Sequence, residues 1–250
     1  MSPIAFALDF ASVEEARAIA TEVAPAVGML KVGLELFVHA GPSAVAIGRD
    51  LGLPVFLDLK LHDIPETVER AVAQAAQLGV RVITVHASGG RTMLRRAVER
   101  AAKEGGTLAV CAVTILTSLD ESDLDDIGIT VTRRLSTSPV GDSVTKRPTT
   151  SFAAESLARL AYDEGVRWFV CSPAEVAMLR QQLGSDAVLV TPGVRPSPAR
   201  DDQKRVATPE QAVRDGADWL VVGRPIRDAS NRLAAARAIA DAAARVSLRG

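Results

Sequence analysis

The sequence predicts an α/β fold, a closed (β/α)8 TIM barrel, on three observations. Eight short apolar runs alternate with amphipathic, Ala-rich stretches along 250 residues. Most of the runs are near-continuously apolar and rich in Val, Ile and Leu, as strands covered on both faces must be. No G-x-G-x-x-G follows the first run, which removes the main dinucleotide-binding reason for an open, doubly wound sheet. Length alone fits one large or two small domains. Eight strand–helix units fill about 250 residues in a barrel, so a single barrel domain over 1–250 is expected.

The candidate strands are 4–10, 29–36, 55–61, 80–87, 107–115, 166–172, 187–194 and 219–226. The clearest helical patterns are 13–23, 65–78, 92–103, 174–183 and 232–246. Ser12 precedes the first helix with Glu15 three residues on, a capping-box pattern. Gly79 closes the helix before the fourth strand in the usual left-handed position. One stretch breaks the rhythm: 130–150 is rich in Ser, Thr, Pro and basic residues and lacks periodicity. It reads as a long flexible loop insertion between a short acidic helix near 119–127 and a helix beginning near Ser151. A passive surface insertion is favoured over a cover for the site.

Composition narrows the function classes. A 48% hydrophobic, 24% charged chain is ordinary for a soluble globular protein. A net charge of −1 argues against a nucleic-acid or membrane-surface footprint, yet a few placed basic groups can still bind one compact anion. Cys111 and Cys171 are far apart and lie in apolar runs, so they read as buried small hydrophobes in a reducing compartment. The first residues lack a basic n-region and a long apolar stretch, and no segment is long enough to span a membrane. A cytoplasmic protein is expected.

In this barrel, function gathers at the C-terminal ends of the strands. Asp9 closes the first strand, Lys31 lies in the second, Asp58 and Lys60 in the third, and Asp63 just beyond it. Asp58 and Lys60 are two apart and so share a face of a regular strand. One charge at a strand end is more often a satisfied surface pair than a catalyst. Charges of both signs converging on a barrel axis favour function, because burial is costly. The last two strands end in TPGVRP with Arg195 and VVGRPI with Gly223 and Arg224, and DDQKR carries Gln203 between them. Loops after strands seven and eight are the usual phosphate site, and arginine offers bidentate bonds to phosphate oxygens.

DLKLHDIPET at Asp58–Thr67 resembles the signature of the orotidine 5′-phosphate decarboxylase family. So do ALDF at Asp9, LKVGLELF at Lys31, VHASGG at His86, VTILTS at Thr117, TPGVRP, DDQKR and VVGRPI. The matches run in order across nearly the whole chain, and the combination is far more specific than D-x-K-x-x-D alone. The resemblance implies a carboxy-lyase that makes UMP and CO2 from orotidine 5′-phosphate in de novo pyrimidine biosynthesis, with no cofactor and no metal. It implies that Asp9 and Lys31 bind the ribose hydroxyls, with Lys31 also in the charged network. Asp58, Lys60 and Asp63 would form the catalytic array, with Lys60 the proton donor. Thr117 would lie at the pyrimidine, and Arg195, Gln203, Gly223 and Arg224 would hold the phosphate. Asp63 and Thr67 would reach a neighbouring subunit's site, making a homodimer with shared active sites.

Two rivals remain. Superfamily relatives such as 3-keto-gulonate-6-phosphate decarboxylase or hexulose-phosphate synthase share D-x-K-x-x-D but use Mg2+, with an acidic residue where this chain has Lys31. A non-catalytic nucleotide-binding barrel would keep the phosphate loops but need not keep the charged array. His62 reads as structural or orienting, His86 as bonded to nearby backbone and His39 as surface or loop. Three scattered histidines do not make a metal site.

Overall fold

The apolar runs become strands because a barrel strand is covered by core on one face and helices on the other. In the computed structural model, which describes residues 2–129, 150–195 and 207–247, they are β1 Ile4–Ala7, β2 Met29–Gly33, β3 Val55–Leu61, β4 Val82–His86, β5 Ala109–Val113, β6 Trp168–Val170, β7 Val188–Thr191 and β8 Trp219–Val222. Each pairs in parallel with the next, and β1 pairs with β8, closing the barrel. The (β/α)8 expectation is met.

Alternate residues along the strands separate two apolar clusters. Ala5, Met29, Phe56, Val82, Cys111 and Val190 pack together inside the barrel with Trp168 and Trp219. The intervening positions, such as Phe6, Leu30, Leu57, Ile83 and Phe169, join the helices in the outer core. The Trp168 and Trp219 rings stack at 6.5 Å and the Arg81 guanidinium lies 5.6 Å from the Trp168 ring, filling the N-terminal end. Polar residues on the barrel interior therefore gather at the opposite, C-terminal end.

The helices are α1 Val13–Val23, α2 Leu34–Ala40, α3 Pro42–Asp50, α4 Pro65–Gln77, α5 Gly90–Lys103, α6 Glu121–Asp126, α7 Thr150–Asp163, α8 Val176–Leu183, α9 Pro209–Arg214, α10 Arg224–Arg227 and α11 Arg232–Ser247. α4 buries Val68, Val72, Ala73 and Ala75, the single apolar stripe that a 3.6-residue period produces. Ser12 caps α1 by accepting from the Glu15 N–H, but its hydroxyl donates to Glu14, so the reciprocal half of the expected capping box is missing. The full box forms at α6, between Asp120 and Asp123. Gly79 has φ +73°, as its helix-ending position requires.

Several strand ends are corrected. The second strand stops at Gly33 and not at residue 36, because Leu34 begins α2. The eighth stops at Val222 and not at residue 226, because Arg224 begins α10. The first stops at Ala7, so Asp9 lies two residues beyond it instead of closing it. Leu34 and Val38 stay 51% and 81% exposed, so their apolar character does not mark core. α3, α9 and α10, each with Pro in its first turn, were not anticipated. Except for Thr150, the loop expected at 130–150 lies outside the described residues.

Candidate active site

β1, β2 and β3 carry a line of alternating charge across the mouth of the barrel. The Lys31 ammonium lies 3.0 Å from Asp9 Oδ1 and 3.7 Å from Asp58 Oδ2. The Lys60 ammonium donates to both oxygens of Asp58, at 2.9 and 2.8 Å. Burial alone would push the Asp58 carboxyl up, but the Lys31 and Lys60 ammonium groups, with hydrogen bonds from Lys60 and Thr84, hold it below the usual range. Asp58 is therefore a fixed anion between two cations. Gly33 makes room for this line: a Cβ there would stand 2.9 Å from Lys31 Nζ and 3.2 Å from Asp9 Oδ1.

Asp58 and Lys60 meet, but not through flat strand alternation. The β3–β4 ladder pairs Leu57 with Ile83 and then Leu61 with Val85, so Asp58, Leu59 and Lys60 stand opposite Thr84 alone. Lys60 takes a left-handed backbone, φ +51°, which is uncommon for a non-glycine residue. This bulge turns its side chain back onto Asp58. Such strain survives only where surrounding contacts over-determine it, and it collects at functional sites.

Asp9, Lys31, Asp58, Lys60, Thr117, Arg195, Gly223 and Arg224 line one cavity of about 430 Å³. That volume falls within the range of small-molecule sites. Arg227 also lines it, donating to the Asp9 carbonyl at 3.4 Å and gripping Asp228. Lys31, Lys60, Arg195, Arg224 and Arg227 outweigh Asp9 and Asp58, so the cavity favours an anionic ligand. Ile115, Leu116, Val170 and Pro192 give it an apolar wall beside Thr117. Arg195 is buried, and its backbone is tied to Ala207 at 2.9 Å.

The remaining expected residues stand apart. Asp63 and Thr67 are exposed and do not line the cavity; the Asp63 carboxylate accepts from the Ile64 N–H at 2.6 Å. Gln203 lies outside the described residues. His39 is exposed on α2. His86 ends β4 against the His62 ring, centroids 5.3 Å apart, in place of the expected backbone bond. Burial, then His62 and Lys60, push its imidazole below the ordinary value against the pull of Asp58. Cys111 and Cys171 are buried thiols, pushed up by desolvation. No helix among the described residues is long and apolar enough to cross a membrane.

Thr84, Gly33 and Arg227 were missed in the sequence. Thr84 is a hydroxyl inside an apolar strand run, and Arg227 repeats Arg224 one helical turn later; both were visible signals.

The model of the Orotidine 5'-phosphate decarboxylase / HUMPS family matches residues 2–239. The chain belongs to this family. It is 51% identical over 224 residues to the orotidine 5'-phosphate decarboxylase of Anaeromyxobacter sp. (strain K), covering 89% of this chain and 90% of that protein. The like-named protein of Geotalea uraniireducens (strain Rf4) is 46% identical over 227 residues, covering 89% and 87%. The crystal structure of orotidine 5'-phosphate decarboxylase from Lactobacillus acidophilus superposes with TM-score 0.80 at 34% identity, covering 97% of this chain and 99% of that one. An uncharacterized conserved protein from Geobacillus kaustophilus superposes with TM-score 0.77 at 31% identity, covering 96% and 100%.

Proposed function

We propose that this barrel decarboxylates orotidine 5′-phosphate to UMP and CO2, the last step of UMP synthesis. The observation that carries the reading is the Asp9–Lys31–Asp58–Lys60 line opening into a cavity that Arg195 and Arg224 also line. Loss of CO2 leaves an electron pair at C6 in the plane of the pyrimidine ring, where the π system cannot accept it. A preorganised ammonium is the group suited to that charge. Lys60, clamped by both oxygens of Asp58, stabilises the carbanion and then gives C6 its proton; solvent restores the ammonium. The Asp58 carboxylate cannot move away from the departing carboxylate, so repulsion between them is relieved as CO2 leaves. This chemistry asks for no cofactor.

Asp9 and Lys31 suit the ribose hydroxyls, Thr117 the pyrimidine, and Arg195, Gly223 and Arg224 the phosphate, with Gln203 added on the resemblance alone. Phosphate binding is remote from C6, so its energy can organise the site and appear in kcat. Asp63 and Thr67 fit a homodimer in which each serves the partner's cavity. Supporting this, they do not line their own cavity, Ile64 beside Asp63 after β3 is an exposed apolar residue, and so are Leu34 and Val38 on α2 after β2. Buried, unpaired Cys111 and Cys171 suit a cytoplasmic site of action.

The test is UMP formation from orotidine 5′-phosphate by the purified protein, with and without EDTA. Turnover indifferent to EDTA is expected. No UMP refutes the reading, and activity that EDTA removes and Mg2+ restores favours the metal-dependent relatives. Lys31 stands against that rival, because its ammonium already occupies the space between Asp9 and Asp58.

A further inference from the structure

We propose that Thr84 is a positioning residue that holds the Lys60 bulge and so aims the Lys60 ammonium. This rests on the decarboxylase reading, in which Lys60 faces the reacting carbon.

The bulge takes the Lys60 N–H out of the β3–β4 ladder, since no β4 backbone group pairs between Ile83 and Val85. A buried N–H without a partner is rare and costly. The Thr84 hydroxyl supplies the partner: its oxygen accepts from the Lys60 N–H at 2.8 Å, and its proton goes to Asp58 Oδ1 at 3.1 Å. One hydroxyl thus ties the backbone of Lys60 to the carboxylate that clamps the Lys60 side chain. Thr84 is completely buried, and its β-branched side chain has little rotamer freedom. It touches neither the cavity nor, in the proposed reaction, any substrate atom. Valine has the same shape and lacks both bonds.

The hydroxyl also acts on Asp58. That carboxylate is faced by Lys31 from β2, Lys60 from β3, Thr84 and His86 from β4 and Cys111 from β5. Removing one donor to the carboxylate makes it easier to protonate, so activity should fall away at higher pH on the acid side.

The experiment compares the full-length wild type with Thr84→Val, Thr84→Ser and Thr84→Ala on orotidine 5′-phosphate. Thr84→Val should lose about tenfold to a hundredfold in kcat, the scale of a misplaced reacting group, while KM stays within about threefold because the phosphate grip is intact. Its acid limb should move to higher pH, and Thr84→Ser should restore both. Thr84→Ala, judged by the same criteria, decides if the valine variant does not fold. Amide hydrogen exchange at Lys60, read without turnover, should accelerate in Thr84→Val and not in Thr84→Ser. Wild-type kcat, an unmoved pH profile and slow Lys60 exchange in folded Thr84→Val overturn the proposal. A wild type that makes no UMP overturns the decarboxylase reading instead, and the exchange result still decides what Thr84 holds.

Discussion

Arg180 on α8 ties together the N-terminal ends of β7 and β8, the end of the barrel away from the cavity. Its guanidinium donates to the Gly184 and Ala187 carbonyls at 2.7 Å each and to the Gly216 carbonyl at 2.8 and 3.2 Å. It also meets Asp218 Oδ2 at 2.5 Å, and that oxygen in turn accepts from the Leu189 N–H at 2.7 Å. Arg180→Ala removes the donor for three carbonyls and one carboxylate. Counted once for each of the four acceptor groups at about 1 kcal/mol net, the loss comes to about 4 kcal/mol. The Arg180 side chain is 24% exposed and Asp218 43%, so water replaces part of what is lost. A destabilisation of about 3 kcal/mol follows, with the Asp218 pair contributing least. At about 2–4 °C per kcal/mol for a chain of this size, Tm should drop by roughly 6–12 °C. Thermal unfolding followed by circular dichroism reads the first number, and UMP formation at room temperature reads whether the site survives. Arg180→Lys should recover only part of the loss, since an ammonium cannot reproduce a planar fork. A Tm change under about 2 °C would sink the stability reasoning. A large fall in kcat with the fold intact would show that this end of the barrel is not separate from the chemistry.

Other substitutions probe the proposed chemistry. Lys60→Ala should lose many powers of ten in kcat; a loss below about a hundredfold contradicts its role as proton donor. Arg224→Ala should weaken binding of the phosphorylated substrate strongly and of the phosphate-free nucleoside little, and equal losses on both remove it from the phosphate site. Gly33→Ala places a Cβ 2.9 Å from the Lys31 ammonium, the flexible end of a side chain. The fold should persist while kcat falls by about tenfold, and unchanged kcat means that the charged line tolerates displacement. Finally, Lys60→Ala and Asp63→Ala chains, each inactive alone, should recover about a quarter of wild-type activity when co-refolded, since half the dimers are mixed and each has one good site of two. Confirmed exchange without recovery means that Asp63 serves its own chain.

The strands were legible because burial on both faces leaves an unbroken apolar run, and all eight appear where such runs stand. Their ends were not. Leu34 and Leu36 extend the second run without extending the strand, because α2 starts at once and buries Leu36 while leaving Leu34 outside. α9 carried a readable start in Thr208-Pro209-Glu210, and Thr208 does accept from the Gln211 N–H at 3.2 Å. The charged residues of the site were legible by type and spacing. How Lys60 reaches Asp58 was not, since alternation assumes a regular strand and the bulge depends on a partner from β4. Asp63 and Thr67 entered the sequence reading through the resemblance, and they stand exposed outside the cavity because they lie past the end of β3, beyond the strand pattern that brings the other charges together.

Closure of the barrel has a consequence for synthesis. β1 leaves the ribosome first, yet one of its two partners is β8, with Ile4 against Leu220, a separation of 216 residues. At roughly 5–20 residues per second, the β8-facing side of β1 waits on the order of ten to forty seconds for its partner. β1 reads IAFA, with Pro3 before it and Asp9 shortly after it as gatekeepers, so during that interval an apolar segment guarded only at its ends lacks its β8 partner. Translation speed and chaperone supply should therefore affect the yield of this protein even where the stability of the finished barrel is unchanged.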